Sequence, residues 1–140
     1  MPDKIIISRK LAEVITEIKH LNSLVKLSQK QLLSDVPMLY FSERVIERLI
    51  TAAVDINYHI LTDITGMVPD DYYSSFIELG TNKILSVPVA NRIAPSAGLR
   101  NLIIHEYMKI DYKKYYTSLK IANKDFQIYA KAIQKYMDSL

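Results

Sequence analysis

The sequence contains no cysteine. That one absence excludes disulfides, thiolate zinc sites, iron–sulfur clusters and cysteine nucleophiles. Glycine is nearly as scarce. Gly66, Gly80 and Gly98 are the only three, and no two are close enough to build a Gly-rich phosphate loop, so P-loop and Rossmann nucleotide sites are excluded. The Gly-Ser strand-turn signature of a nucleotidyltransferase is missing for the same reason. No apolar stretch runs uninterrupted for the ~18 residues of a membrane helix. The chain's start, Met1 to Ser8, offers only the run Ile5-Ile6-Ile7, well short of the ~7–15 apolar residues of a signal peptide. A soluble, cytoplasmic protein with no membrane contact is the expectation.

What remains is apolar and nearly charge-balanced. The 140 residues are 49% hydrophobic and 24% charged, enough to bury a core within one domain spanning residues 1–140. The net charge of +3 comes from 18 Lys+Arg against 15 Asp+Glu. It is unevenly placed: from Lys109 onward seven lysines face three aspartates (+4), which leaves −1 for the rest (11 − 12).

Apolar residues recur at steps of three and four, the period of one helix face. Leu11, Val14, Ile15, Ile18, Leu21, Val25 and Leu32 predict a long first helix, about Ser8 to Leu33. Ser34-Asp35-Val36-Pro37 then breaks the pattern. Leu39, Val45, Ile46, Leu49, Ile50, Ala53, Ile56, Ile60 and Ile64 predict a second, Met38 to Thr65, closed by Gly66 in a left-handed conformation. Pro69-Asp70-Asp71 leads into a short third helix, Tyr72 to Leu85, with Gly80 as its weak point. A fourth runs from Val87-Pro88 toward Tyr107 and is kinked or interrupted at Pro95, which lacks a backbone donor. Asp111 caps a fifth, with Tyr115, Leu119, Ala122, Phe126, Tyr129, Ile133 and Tyr136 on one stripe toward Met137. Nothing alternates with period two for long enough to be a strand. The fold class is therefore all-α, an antiparallel bundle of four long helices and one short one with no sheet.

The most polar cluster in an otherwise apolar stretch is Arg100-Asn101-Leu102-Ile103-Ile104-His105-Glu106-Tyr107, late in the fourth helix. On an ideal helix Asn101 and His105 share a face, whereas Arg100 and His105 stand about 140° apart. Their convergence requires unwinding near His105 or a second copy of the helix facing the first.

This segment resembles the signature of the HEPN superfamily, in particular the HepT-like ribonuclease toxins: Arg, four residues, His, any residue, Tyr. Arg100, His105 and Tyr107 match it position for position. Gly98, Asn101, the Lys109-Ile110-Asp111 that opens the last helix, and Glu43-Arg44 through Asp55 in the second helix agree with it too. The resemblance is strongest over residues 42–137. It implies a metal-independent RNA-cleaving toxin that needs no cofactor, with Arg100 and His105 catalytic and Asn101 auxiliary. It also implies a partner, an MntA-like nucleotidyltransferase antitoxin that transfers AMP to Tyr107.

The residue chemistry supports the same reading. Cleavage of RNA by its own 2′-OH needs a base, an acid and a cation on the phosphorane charge, and histidine and arginine suit those tasks. One protomer offers one motif histidine, while in-line transfer is best served by two proton-transfer groups. A two-fold homodimer supplies His105 and Arg100 twice in one cleft; the resemblance implies RNA as substrate, with tRNA the expected one. Lys109, Lys113 and Lys114 are placed to hold RNA phosphates, with the other lysines of the last helix behind them.

A plainer reading stands beside each residue. His105 is then a buried helix-end histidine bonded to a backbone carbonyl, Arg100 a surface partner of Glu106 or another carboxylate, Asn101 a local cap, Tyr107 core filler and the lysines a solvated face. His59, four residues after Asp55, is half a metal site at most, and His20 a solvated or interfacial residue. The tyrosines from Tyr112 to Tyr136 read as core and dimer packing. At the level of function, the alternative is a non-catalytic helical module that binds a nucleotide or docks a nucleotidyltransferase.

Overall fold

The computed structural model describes residues 3–140; Met1 and Pro2, part of the signal-peptide reading, lie outside the described residues. Among these there are seven α-helices and one 3₁₀ turn and no strand: α1 Lys4–Leu24, α2 Gln29–Ser34, α3 Val36–Thr65, α4 Tyr72–Thr81, α5 Val87–Ile93, α6 Ser96–His105, the 3₁₀ turn Tyr107–Lys109, and α7 Tyr112–Asp138. The all-α class stands. No helix is long and apolar enough to cross a membrane among the described residues.

Two of the expected long helices are each divided. The first begins at Lys4 rather than Ser8, because the Asp3 carboxylate accepts from the N–H groups of Ile5 (2.9 Å) and Ile6 (3.2 Å) and Ile7 is already fully buried. It also stops at Leu24. Ser28 starts a new helix through a capping box: its hydroxyl accepts from Gln31 N–H at 3.1 Å, and the Gln31 side chain accepts from Ser28 N–H at 2.8 Å. The Tyr116 hydroxyl, reaching over from α7, donates to the Leu27 carbonyl that the break frees. Hydrophobic period alone carried the pattern across this corner. Asp35 then serves as the cap of α3, with Pro37 in the first turn, so α3 starts at Val36 rather than Met38.

The fourth expected helix is interrupted at Pro95, as the missing donor requires. Backbone bonds from Ala97 to Ala94 (3.2 Å) and from Gly98 to Pro95 (3.0 Å) bridge the junction with a tighter turn. It ends at His105 rather than Tyr107. The short α4 stops at Thr81, four residues before the expected end, where the Asn82 side chain donates to the Glu78 carbonyl (2.8 Å) and Lys83 turns to a positive φ of 63°. Gly80 is there for a close approach: a Cβ on it would meet the Ala90 Cβ at 2.7 Å. The cap Asp111 and the run of α7 are as expected.

Side-chain pairings set the topology. Lys10 meets Asp55 (3.2 Å), Glu17 meets Arg48 (3.6 Å) and His20 lies edge-on to Phe41 (5.4 Å), so α1 and α3 run antiparallel. Ser42 bonds Tyr115 (2.8 Å), while Tyr129 donates to Ala53 O (2.9 Å) and Asn57 Oδ1 (2.6 Å); α3 and α7 therefore run parallel, facing each other through the core. Arg92 pairs with Asp125 (3.1 Å) and Arg100 reaches Thr51 (3.4 Å), which sets α5–α6 against both. The result is an up-down-up-down bundle of α1, α3, α5–α6 and α7, with α4 crossing over Asn57 and Phe126. Phe76, Phe126 and Tyr129 stack edge to face at 5.7–6.1 Å in its centre.

Candidate functional site

The helix that carries the polar cluster is the least buried of the framework. Of the ten residues of α6 only Ala97 is buried, and its N-terminus has no side-chain cap. It is helical without interruption from Ser96 through His105. Arg100 and His105 therefore keep their angular separation of about 140°, and the unwinding that would bring them together within one chain does not occur.

Arg100 is half-buried. Its Nε donates to Thr51 Oγ1 (3.4 Å) and its guanidinium lies 5.1 Å from the centre of the Tyr72 ring. It does not pair with Glu106, which instead meets Lys109 at 3.5 Å. Arg100 and Asn101 face an open cleft of about 460 Å³, shared with Gly98, Ala97, Tyr58 and Asp70 to Tyr73. Asp71 caps α4 through Ser74 N–H (2.7 Å), a bond that holds its carboxyl below the usual range. His105 lies outside that cleft. It is exposed, makes no hydrogen bond among the described residues, and so is not the carbonyl-bonded helix-end histidine of the plainer reading. Asn101 is exposed on the same face, with no bond to His105.

Tyr107 follows on the 3₁₀ turn, 41% exposed, between Ile104 (37%) and Met108 (94%). It is not core filler. Its hydroxyl is nonetheless held, turned toward the Tyr112 hydroxyl, which in turn donates to Glu43 Oε1 at 3.3 Å. Glu43 comes from α3 and is only 6% exposed. Burial pushes its carboxyl above the usual carboxylate range, with the bonds to Tyr112 and Tyr107 opposing. The bond to Tyr112, burial and the Glu43 charge together raise the Tyr107 phenol well above an ordinary tyrosine. Sequence reasoning assigned no place in the site to Thr51 or Tyr72, took Tyr112 for packing, and counted Glu43 only as agreeing with the family resemblance. One signal was there: Glu43 sits between Leu39 and Ile46 on a stripe otherwise apolar, where an ionisable residue calls for a reason.

Lys113 and Lys114 are exposed at the start of α7, their backbone N–H groups on Asp111 (3.1 and 3.3 Å), one short segment from Lys109. Of the other tyrosines, Tyr115, Tyr116 and Tyr129 are core. His59 is exposed and its would-be partner Asp55 is taken by Lys10; no group of three or more potential metal ligands exists among the described residues. His20 is exposed, edge-on to Phe41.

A model of the family described as ribonuclease HepT-like matches residues 14–133. The chain belongs to the HepT-like ribonuclease family. It is thus a ribonuclease, as the resemblance suggested. A protein named tRNA nuclease HepT, from Aphanizomenon flos-aquae, is 32% identical over 138 residues, covering 99% of this chain and 94% of that protein. The mRNA nuclease HepT of Shewanella oneidensis is 27% identical over 66 residues, 47% of this chain and 50% of the relative. Among solved structures, the tri-AMPylated Shewanella oneidensis HEPN toxin in complex with an MNT antitoxin superposes with a TM-score of 0.83 at 22% identity, covering 93% of this chain and 97% of that one. At that identity the likeness speaks for the HEPN fold.

Proposed function

We propose that this HepT-like protein is a metal-independent endoribonuclease toxin that cuts tRNA in a cleft between two copies of the chain, and that an MntA-like nucleotidyltransferase antitoxin silences it by transferring AMP to Tyr107. The observation that carries the reading is the regularity of α6 through His105. It leaves an exposed, unengaged imidazole on one side and a half-buried guanidinium on another, each lacking the complement the other would supply. A two-fold mate brings the complement, and the exposed Ile104 and Met108 beside His105 give it apolar surface to seat on.

In that cleft one His105 takes the 2′-hydroxyl proton while the other protonates the departing 5′-oxygen. Arg100 neutralises charge on the phosphorane. The Thr51 bond and the Tyr72 ring fix the guanidinium plane, so little side-chain freedom is lost when phosphate binds. Asn101, on the His105 face, orients substrate. Lys109, Lys113 and Lys114 hold the RNA backbone, and reaction takes place in the cytoplasm, where tRNA is. The choice of tRNA rests on the relative named tRNA nuclease that aligns with nearly the whole chain. Esterifying Tyr107 places bulk and a phosphodiester charge two residues from His105, opposing RNA by sterics and by repulsion.

The test is cleavage of total tRNA by the purified protein in EDTA, beside His105→Ala, with fragment ends identified. Wild-type-only cleavage leaving cyclic phosphate ends is expected. Intact tRNA, with an intact mass that shows no AMP on the toxin, contradicts the reading and favours the non-catalytic docking module. For the antitoxin, Tyr107→Phe is expected to escape both AMP addition and neutralisation; a Phe variant still silenced contradicts that half of the proposal.

A further inference from the structure

The chain of hydroxyls behind Tyr107 ends on a carboxylate that nothing in RNA cleavage uses. We propose that Glu43, reached through the Tyr112 hydroxyl, is a proton acceptor that the toxin itself supplies for its own modification. The inference rests on the reading that Tyr107 is the AMP acceptor.

Three observations carry it. First, Tyr107 is exposed, yet its hydroxyl turns back to Tyr112, and Tyr112 donates to Glu43 Oε1 (3.3 Å). Second, Glu43 is 6% exposed and no Lys or Arg pairs with it among the described residues. A buried carboxylate ordinarily has a cation or several backbone donors; this one has phenols, one of them on the surface. Third, the arrangement is that of an activated nucleophile: the Tyr107 hydroxyl beside that of Tyr112, and Tyr112 on the Glu43 carboxyl at 3.3 Å, from separate elements held by a rigid core. Tyr112 is itself fixed edge-on to Tyr115 (5.8 Å), which bonds Ser42 (2.8 Å) next to Glu43.

The chemistry balances. The Tyr107 oxygen attacks the α-phosphorus of a nucleoside triphosphate brought by the antitoxin. The new O–P bond forms as the bond to pyrophosphate breaks, and pyrophosphate leaves with the electron pair. The Tyr107 proton passes to the Tyr112 oxygen while the Tyr112 proton passes to Glu43, so one proton moves from Tyr107 to Glu43 and Tyr112 is unchanged. A phenol whose ionised form is disfavoured, as here, gains most from a base that acts during attack.

The experiment incubates full-length toxin with its cognate nucleotidyltransferase and ATP and follows AMP addition by intact mass and peptide mapping. Wild-type protein is read first. AMP on another residue, or none, overturns the modification reading and this inference with it. With AMP on Tyr107, Glu43→Gln, close to isosteric, is expected to lower kcat for AMP addition at least tenfold while KM for the toxin stays within twofold. The pH profile separates a base from a prop. The groups facing Glu43 are Tyr112 and Tyr115 from α7 and Tyr107 from the turn, with Tyr40 facing Tyr107; Glu43 is the one carboxyl among them. The fall in rate toward acid in the wild type should therefore vanish in Glu43→Gln. Tyr112→Phe, which keeps the ring, should be slowed similarly, and the double variant should be no slower than the slower single one. Should Glu43→Gln fail to fold, Tyr112→Phe decides alone. Wild-type kcat in the folded variants, or a defect confined to KM, overturns the proposal.

Discussion

The α3–α7 pair and the end of α6 solve opposite problems with similar residues. Between α3 and α7 the polar atoms are consumed: the Tyr129 hydroxyl donates to Ala53 O and lies on Asn57 Oδ1, the Asn57 amide donates to Ser75 (3.1 Å), and Ser42 bonds Tyr115. At the end of α6 they are left available. The side chains of His105 and Asn101 are exposed and have no hydrogen-bond partner among the described residues, and the apolar Met108 stands in solvent. The first arrangement stabilises a bundle, because an unpaired buried polar atom costs far more than a net hydrogen bond returns. The second is what a helix looks like when its complement is another molecule. The consumed and the available polar groups thus sit in different regions, and Arg100 links them where it leans on Thr51 of α3 and Tyr72 of α4.

That division predicts how substitutions separate. The largest effect belongs to His105→Ala: removing a proton-transfer group should cut RNA cleavage about 10²–10⁴-fold and leave the thermal midpoint nearly unchanged, since the imidazole holds nothing in the fold; parallel cleavage assays and melting curves check both. Tyr129→Phe should do the reverse. It strands the Asn57 oxygen in the core, at about 1–3 kcal/mol by urea unfolding, with cleavage per folded molecule preserved. Gly80→Ala drives a methyl into Ala90 at 2.7 Å and should cost about 1–3 kcal/mol through α4 and α5; a neutral result would show that the two helices separate freely.

Arg100→Lys sits on the boundary between the two regions. An ammonium loses the bond to Thr51 and the planar seat on Tyr72, so cleavage should fall about tenfold with stability within about 0.5 kcal/mol. The smallest effect is in pH. Glu43 has its folded pKa raised by burial, so the folded state binds the extra proton between the ordinary carboxylate value and the raised one. Its contribution to stability is therefore full below the unfolded value of 4.5 and is lost as pH rises through the folded value. Glu43→Gln should flatten that part of the stability profile, as read by denaturation at fixed pH steps.

Most of the bundle was legible because α3 and α7 bury continuous stripes, and period 3.6 survives any local detail. The corners were less legible. Leu24 to Ser28 turns because a capping box and the Tyr116 hydroxyl satisfy its backbone, and neither leaves a mark in hydrophobic spacing. Pro95 did leave one, since a missing donor is written in the residue itself. At the site, the motif named Arg100, His105 and Tyr107, and their angular separation on a helix followed from spacing. Their supports did not: Thr51 lies 49 residues from Arg100 and Glu43 69 from Tyr112, and one sequence carries no record of contacts at that distance.

The central claim is that Arg100 and His105 act across a two-fold axis. The most direct measurement mixes Arg100→Ala with His105→Ala protein, after unfolding and refolding together, and assays tRNA cleavage. Each variant alone should lose nearly all activity, and the mixture should recover a small part of it: a mixed dimer keeps one histidine facing one arginine across the axis and leaves the other proton transfer to water, so it stays about 10²-fold or more below wild type. A mixture as inactive as its components, with mixed dimers shown to form, would contradict the account, for a histidine and an arginine on facing chains would then have no joint activity.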